Sequence, residues 1–145
     1  MALSYQPNGN LSPGVHEITW GEFVSEFGCN SHRMDLIQGL EIALSDLKSC
    51  GCQSVFIDGS FTTKKDFPND FDACWDHTGV DLGSLITHYP VFFDFANSRF
   101  NQKKKYKGEF FPMTAIAKPH PKELYIDFFR HDKEDNPKGI IHLKL

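Results

Sequence analysis

Asp70 and Asp72 stand one residue apart at the head of Asp70-Phe-Asp-Ala-Cys-Trp75. In an extended chain, side chains two positions apart share a face. Both carboxylates would then offer oxygen to one ion. Carboxylates beside Ala73, Cys74 and Trp75 are costly to bury unless a cation compensates them. Hard oxygen donors of this kind suit Mg²⁺, or Mn²⁺, with substrate phosphates completing the shell. Nine residues separate Asp70 from the upstream pair Gly59-Ser60, which follows the apolar run Val55-Phe-Ile57 and Asp58. Glycine lets backbone approach a ligand, and the hydroxyl adds a donor. Lys64 and Lys65 lie between the two motifs, and lysine is a common point charge for phosphate. Gly-Ser for a triphosphate and Asp-x-Asp for its metal together describe phosphoryl or nucleotidyl transfer. The plainer alternative is that Asn69 and Asp70 are turn residues.

Gly59-Ser60, nine residues and Asp70-Phe71-Asp72 resemble the signature of the DNA polymerase β-type nucleotidyltransferase superfamily, closest to its minimal branch. Leu11 to His16, Asp58 to Phe61 and Lys138 to Ile141 carry a second resemblance, to a small group of bacterial and phage nucleotidyltransferase-like proteins. The resemblance implies roles. Gly59 and Ser60 would hold the triphosphate; Lys64, Lys65 and Lys103, by their charge and position, are expected as further nucleotide contacts. Asp70 and Asp72 would bind metal. Asp94, in the apolar run Tyr89 to Phe95, would complete the metal site and draw the proton from an attacking hydroxyl. The implied reaction is Mg²⁺-dependent transfer of a nucleoside monophosphate from an NTP, with ATP the expected one, to a protein or RNA hydroxyl. Toxin–antitoxin or phage-defence pairs are the implied setting, with a cognate toxin or antitoxin protein or a tRNA as partner. Phe61, Thr62 and Thr63 stand where minimal members often carry an arginine. That leaves open a catalytically weak nucleotidyltransferase-like binding protein, such as an antitoxin, immunity or anti-defence factor acting by contact.

The elements around these residues predict one α+β domain: a mixed sheet with helices packed on it, over residues 14–145. Residues 1–13, with Pro7, Gly9 and Pro13, read as a flexible N-terminal segment. Thr19 to Glu22 fits a capping box opening a helix to about Phe27. A longer helix should run from Asn30 or Ser31 to Cys50. Its stripe of Leu36, Ile37, Leu40, Ala43, Leu44 and Leu47 covers the sheet. Strands are expected at Gln53–Asp58, Asp70–Trp75, Tyr89–Phe95 and Gly139–Leu145, with an extended segment over 108–113. Asp76–Leu85 and Ala115–Lys122 read as loops. Glu123–Arg130 reads as a short helix or turn. Arg99 to Lys107 is a basic run interleaved with Phe100 and Tyr106.

The chain of 145 residues carries a net charge of −4, which excludes a basic nucleic-acid-coating protein. Cys29, Cys50, Cys52 and Cys74 lack paired Cys-x-x-Cys units, so a zinc ribbon is not expected. They read as reduced thiols in a cytoplasmic protein. No apolar run approaches the ~20 residues of a membrane span.

Overall fold

The structure, a computed structural model, describes residues 3–145; Met1 and Ala2, the start of the segment expected to be flexible, lie outside the described residues. Within that segment Tyr5 and Leu11 form an antiparallel bridge, and Leu11 is buried. The Tyr5 hydroxyl donates to Glu26 at 2.5 Å. Residues 3–13 are therefore tied to the body rather than loose. They lead into β1 (Gly14–Glu17), which sequence reading did not distinguish as a strand.

α1 (Trp20–Phe27) opens with the expected capping box: Glu22 N–H donates to Thr19 Oγ1 at 3.1 Å, and Thr19 N–H to Glu22 Oε1 at 2.9 Å. α2 (Ser31–Ser49) opens on Asn30, whose side-chain oxygen accepts from Arg33 N–H at 2.8 Å. Its six-residue apolar stripe is buried. Gly39 sits where α2 crosses the chain near Tyr106; a Cβ there would collide with the Tyr106 carbonyl. The glycine trades helix propensity for close packing.

β2 (Ser54–Asp58) is followed by a 3₁₀ turn at Ser60–Thr62 and by β3 (Phe71–Trp75). Next come α3 (Leu82–His88), a second 3₁₀ turn at Pro90–Phe93 and α4 (Ala96–Tyr106). β4 (Gly108–Pro112), the hairpin of β5 (Ile116–Pro119) and β6 (Lys122–Leu124), α5 (Tyr125–Phe128) and β7 (Gly139–Lys144) complete the chain. The main sheet has the order β1-β7-β2-β3-β4. β1 runs parallel to β7 and β3 parallel to β4, while β2 is antiparallel to both neighbours. The fold is α+β.

Period-two alternation divides the sheet's residues between two faces. Val55, Ile57, Phe71, Ala73, Trp75, Phe110, Ile141 and Leu143 pack with the helices in the main core. Cys74, Phe111 and Ile140 face the other way and meet Phe129, Tyr125 and Ile126 in a smaller cluster. That second face is only partly covered, and it carries the charged residues described below. No helix among the described residues is long and apolar enough to cross a membrane.

Tyr89–Phe95 is not a strand. Pro90 starts a 3₁₀ turn, Phe92 drops into the helical core, and Phe92 stacks on Tyr106 at 5.0 Å. Proline at the first helical position suits that geometry. The Asp76–Leu85 loop ends in α3 because Asp81 caps it, accepting from Ser84 N–H at 3.0 Å. The 115–122 loop is mostly the β5–β6 hairpin.

Candidate active site: a carboxylate row beside a lysine-rimmed cleft

Asp72 lies opposite Asp58 on β2 and opposite Glu109 on β4. The three residues therefore form a row on the half-covered face, at one end of the sheet. Asp70, two positions before Asp72, joins them. Oxygens of Asp70, Asp72 and Glu109 all lie within 4.8 Å of one another. The adjacent-strand carboxylate that completes the Asp-x-Asp pair is Glu109, not Asp94.

Asp94 follows the 3₁₀ turn and is spent on local structure. It accepts from Ala96 N–H at 3.1 Å and from Asn101 Nδ2 at 2.8 Å. These bonds hold its carboxyl below the usual range. Asp94 and Glu109 each stand as a lone acid in an aromatic stretch, Phe92-Phe-Asp-Phe95 and Gly108-Glu-Phe-Phe111. Only the β3–β4 pairing, a non-local fact, separates them.

Gly59 carries φ +88°, a backbone state open essentially to glycine alone. A Cβ there would also stand 2.6 Å from Asp72 Oδ2. The glycine thus lets the Gly-Ser turn lie against the carboxylate row. Ser60 opens the 3₁₀ turn, and Thr63 Oγ1 donates to its carbonyl at 2.6 Å.

The loop after Ser60 is fixed by a residue that the sequence reading passed over. Arg33, on α2, is 2% exposed although charged. Its guanidinium donates to the carbonyls of Phe61 at 2.7 Å, Thr63 at 3.0 Å, Lys65 at 2.5 Å and Phe27 at 3.2 Å. It also sits over the Phe61 ring at 4.7 Å. The signal was available: position 33 lies three and four residues before Leu36 and Ile37, on the apolar stripe itself.

Electrostatics at the row are those of acids crowded together. Burial, a hydrogen bond with Glu109 and the charges of Glu109, Asp70 and Asp58 push the Asp72 carboxyl up, to about 8. Burial and Glu109 push Asp70 up as well. Burial acts the same way on Glu109, but bonds from Asp72 and Arg99 outweigh it and hold that group low. Arg99 Nε donates to Glu109 Oε1 at 2.6 Å, and Lys103 Nζ lies 3.5 Å from the same oxygen. Lys103 is therefore a partner of Glu109 and is not among the residues lining the cleft. Arg99 arrives there through three consecutive left-handed residues, Asn97, Ser98 and Arg99, at φ 52°, 55° and 62°.

On the other side of the row opens a cleft of about 1120 Å³. Asp58, Gly59, Ser60 and Asp72 line it, and six lysines surround it: Lys64, Lys65, Lys118, Lys122, Lys133 and Lys138. The predicted Gly59, Ser60, Lys64 and Lys65 are thus brought together with Asp72. Glu123, Asp132 and Asp135 lie among these lysines, so the wall is of mixed charge with a small basic excess, which suits a polyanion carried with a divalent cation. Asp70, Asp72 and Glu109 fit such a cation: three hard oxygen donors, close enough to converge and partly buried, of which Glu109 alone is ion-paired, to Arg99 and Lys103.

Residues 3–144 match the model of a family described as "Family of unknown function (DUF6932)". Neither a curated protein nor a solved structure matches the chain. The chain belongs to the DUF6932 family.

Proposed function

We propose that this DUF6932 member is a divalent-metal-dependent nucleotidyltransferase that moves a nucleoside monophosphate from an NTP to a protein or RNA hydroxyl. One observation carries the reading: Asp70, Asp72 and Glu109 converge within 4.8 Å at the edge of a lysine-rimmed cleft that also holds Gly59 and Ser60. In this reading the three carboxylates hold Mg²⁺ or Mn²⁺, which supplies charge stabilisation at the phosphoryl oxygens. Gly59 and Ser60 bring backbone and hydroxyl donors to the polyphosphate, and Arg33 keeps their loop in shape. The acceptor oxygen forms the new bond to the α-phosphorus. The bond from that phosphorus to the bridging oxygen breaks, and pyrophosphate leaves. The hydroxyl proton passes to a carboxylate of the row. ATP is the first NTP to test, and a toxin–antitoxin or phage-defence pair in the cytoplasm is the setting that goes with this reading.

Incubation with each α-labelled NTP, Mg²⁺ or Mn²⁺, and either candidate partner protein or tRNA tests it. Label should pass to one acceptor, γ-label should not, and Asp70→Asn/Asp72→Asn should abolish transfer. Absence of transfer from every NTP to either acceptor class counts against the enzyme. One observation favours a second reading, a nucleotidyltransferase-like protein that acts by contact. Arg99 and Lys103 already offset Glu109 without any metal. Partner binding that survives the double substitution, with no label moved, would select that reading.

A further inference from the structure

Five of the cleft's six lysines are exposed; the sixth is built in. The Lys138 side chain is 15% exposed, and its ammonium lies 3.0 Å from Asp58 Oδ1. Asp58 ends β2, is 4% exposed, precedes Gly59 and faces Asp72 in register. Its Oδ1 is buried without a well-directed hydrogen-bond donor. The segment that delivers Lys138 is anchored. Lys138 N–H donates to the Arg130 carbonyl at 2.9 Å, and Gln6 Nε2 donates to the Pro137 carbonyl at 3.0 Å.

Such a pair is a poor stabiliser. Taking both ions out of water offsets most of their attraction, and an apolar pair of similar volume would serve the fold as well. A pre-set ammonium in a cleft wall serves a ligand better. It carries three donors, of which Asp58 can engage one. Because it is already ordered, it loses less side-chain entropy on binding than exposed Lys64 or Lys65 would.

We infer that Lys138, oriented by Asp58, is the phosphate-binding residue of this cleft, and that it takes the β- and γ-phosphates of the nucleoside triphosphate. The inference rests on the transferase reading for its ligand, and on Asp58, Gly59, Ser60, Asp72 and Lys138 sharing one cleft for its geometry. Asp58 is a positioning residue: it touches the ammonium and not the phosphate.

Calorimetry with inorganic tripolyphosphate and Mn²⁺, on the full chain, tests it. Wild type should bind, and Lys138→Met should bind at least 30-fold more weakly. Lys138→Met also strands the Asp58 charge and lowers the melting temperature. The double variant Asp58→Asn/Lys138→Met should recover the melting temperature and stay weak for tripolyphosphate. Mn²⁺ binding alone should remain near wild type in both. Failure of wild type to bind tripolyphosphate overturns the inference. So does a Lys138→Met or double variant that binds as tightly as wild type. The transferase reading is judged apart: Lys138-dependent binding without nucleotidyl transfer keeps this site and removes that reading. Transfer that ignores Lys138→Met removes this site and keeps that reading.

Discussion

Replacing Asp72 by Asn should stabilise the metal-free protein while ending its response to divalent cations. Asp72 faces Asp58 and Glu109 directly and has Asp70 two positions away. Its carboxyl moves from 3.8 to about 8. At about 1.4 kcal/mol per tenfold change, that sets a ceiling of about 6 kcal/mol. Arg99 and Lys103 beside Glu109, and a polarisable site that is not fully buried, reduce the realised gain to about 1–3 kcal/mol. An amide of the same shape carries no charge and can donate to Glu109 as a protonated Asp72 would. For a chain of this size the gain corresponds to a melting temperature higher by about 3–10 °C. The sign with pH follows from the direction of the shift. A carboxyl raised by folding contributes its full stability below the unfolded 3.8 and loses it as pH rises toward about 8. The variant's advantage in EDTA should thus be near zero at pH 4 and largest at pH 8. Adding Mn²⁺ at about 100 times its Kd should raise wild type by about 2.7 kcal/mol and leave the variant unmoved. Calorimetric melts in EDTA and in Mn²⁺ across that range supply the measurement. A variant that melts below wild type at pH 8 in EDTA, or whose offset is the same at pH 4 and pH 8, refutes the reasoning.

Arg33→Met should cost about 3 kcal/mol or more, because four carbonyls lose their donor, three of them in the loop after Ser60; urea melts followed by circular dichroism would show it, and an unchanged midpoint would remove Arg33 from the loop's support. Ser98→Gly should raise stability by about 0.5–1 kcal/mol, since Ser98 holds φ 55° between two other left-handed residues and glycine relieves that strain at some cost in chain entropy; a lower melting temperature would contradict the left-handed turn.

Local rules made most of the helical half legible. The Thr19–Glu22 box and the α2 stripe depend on neighbours three and four apart, and both appear as read. β2, β3 and β7 were visible as short apolar runs bounded by polar residues. The site was half legible for the same reason. Gly59, Ser60, Asp70 and Asp72 lie close in sequence, whereas Glu109 joins them only through parallel pairing of β3 with β4. Aromatic composition favoured a strand at Tyr89–Phe95. Pro90 and the burial of Phe92 against Tyr106 decided for a 3₁₀ turn, tertiary packing overriding propensity. Arg33 was hidden by the habit of reading arginine as solvated, and only its place on an apolar stripe marks it.

β7 lies between β1 and β2, so a strand made late fills a gap left by two made early, and Gly139 pairs with Gly14. During translation the flanks of β1 and β2 stay unzipped until residues 139–144 clear the ribosomal tunnel. Until then the nascent chain exposes bare strand edges of the kind that recruit other chains.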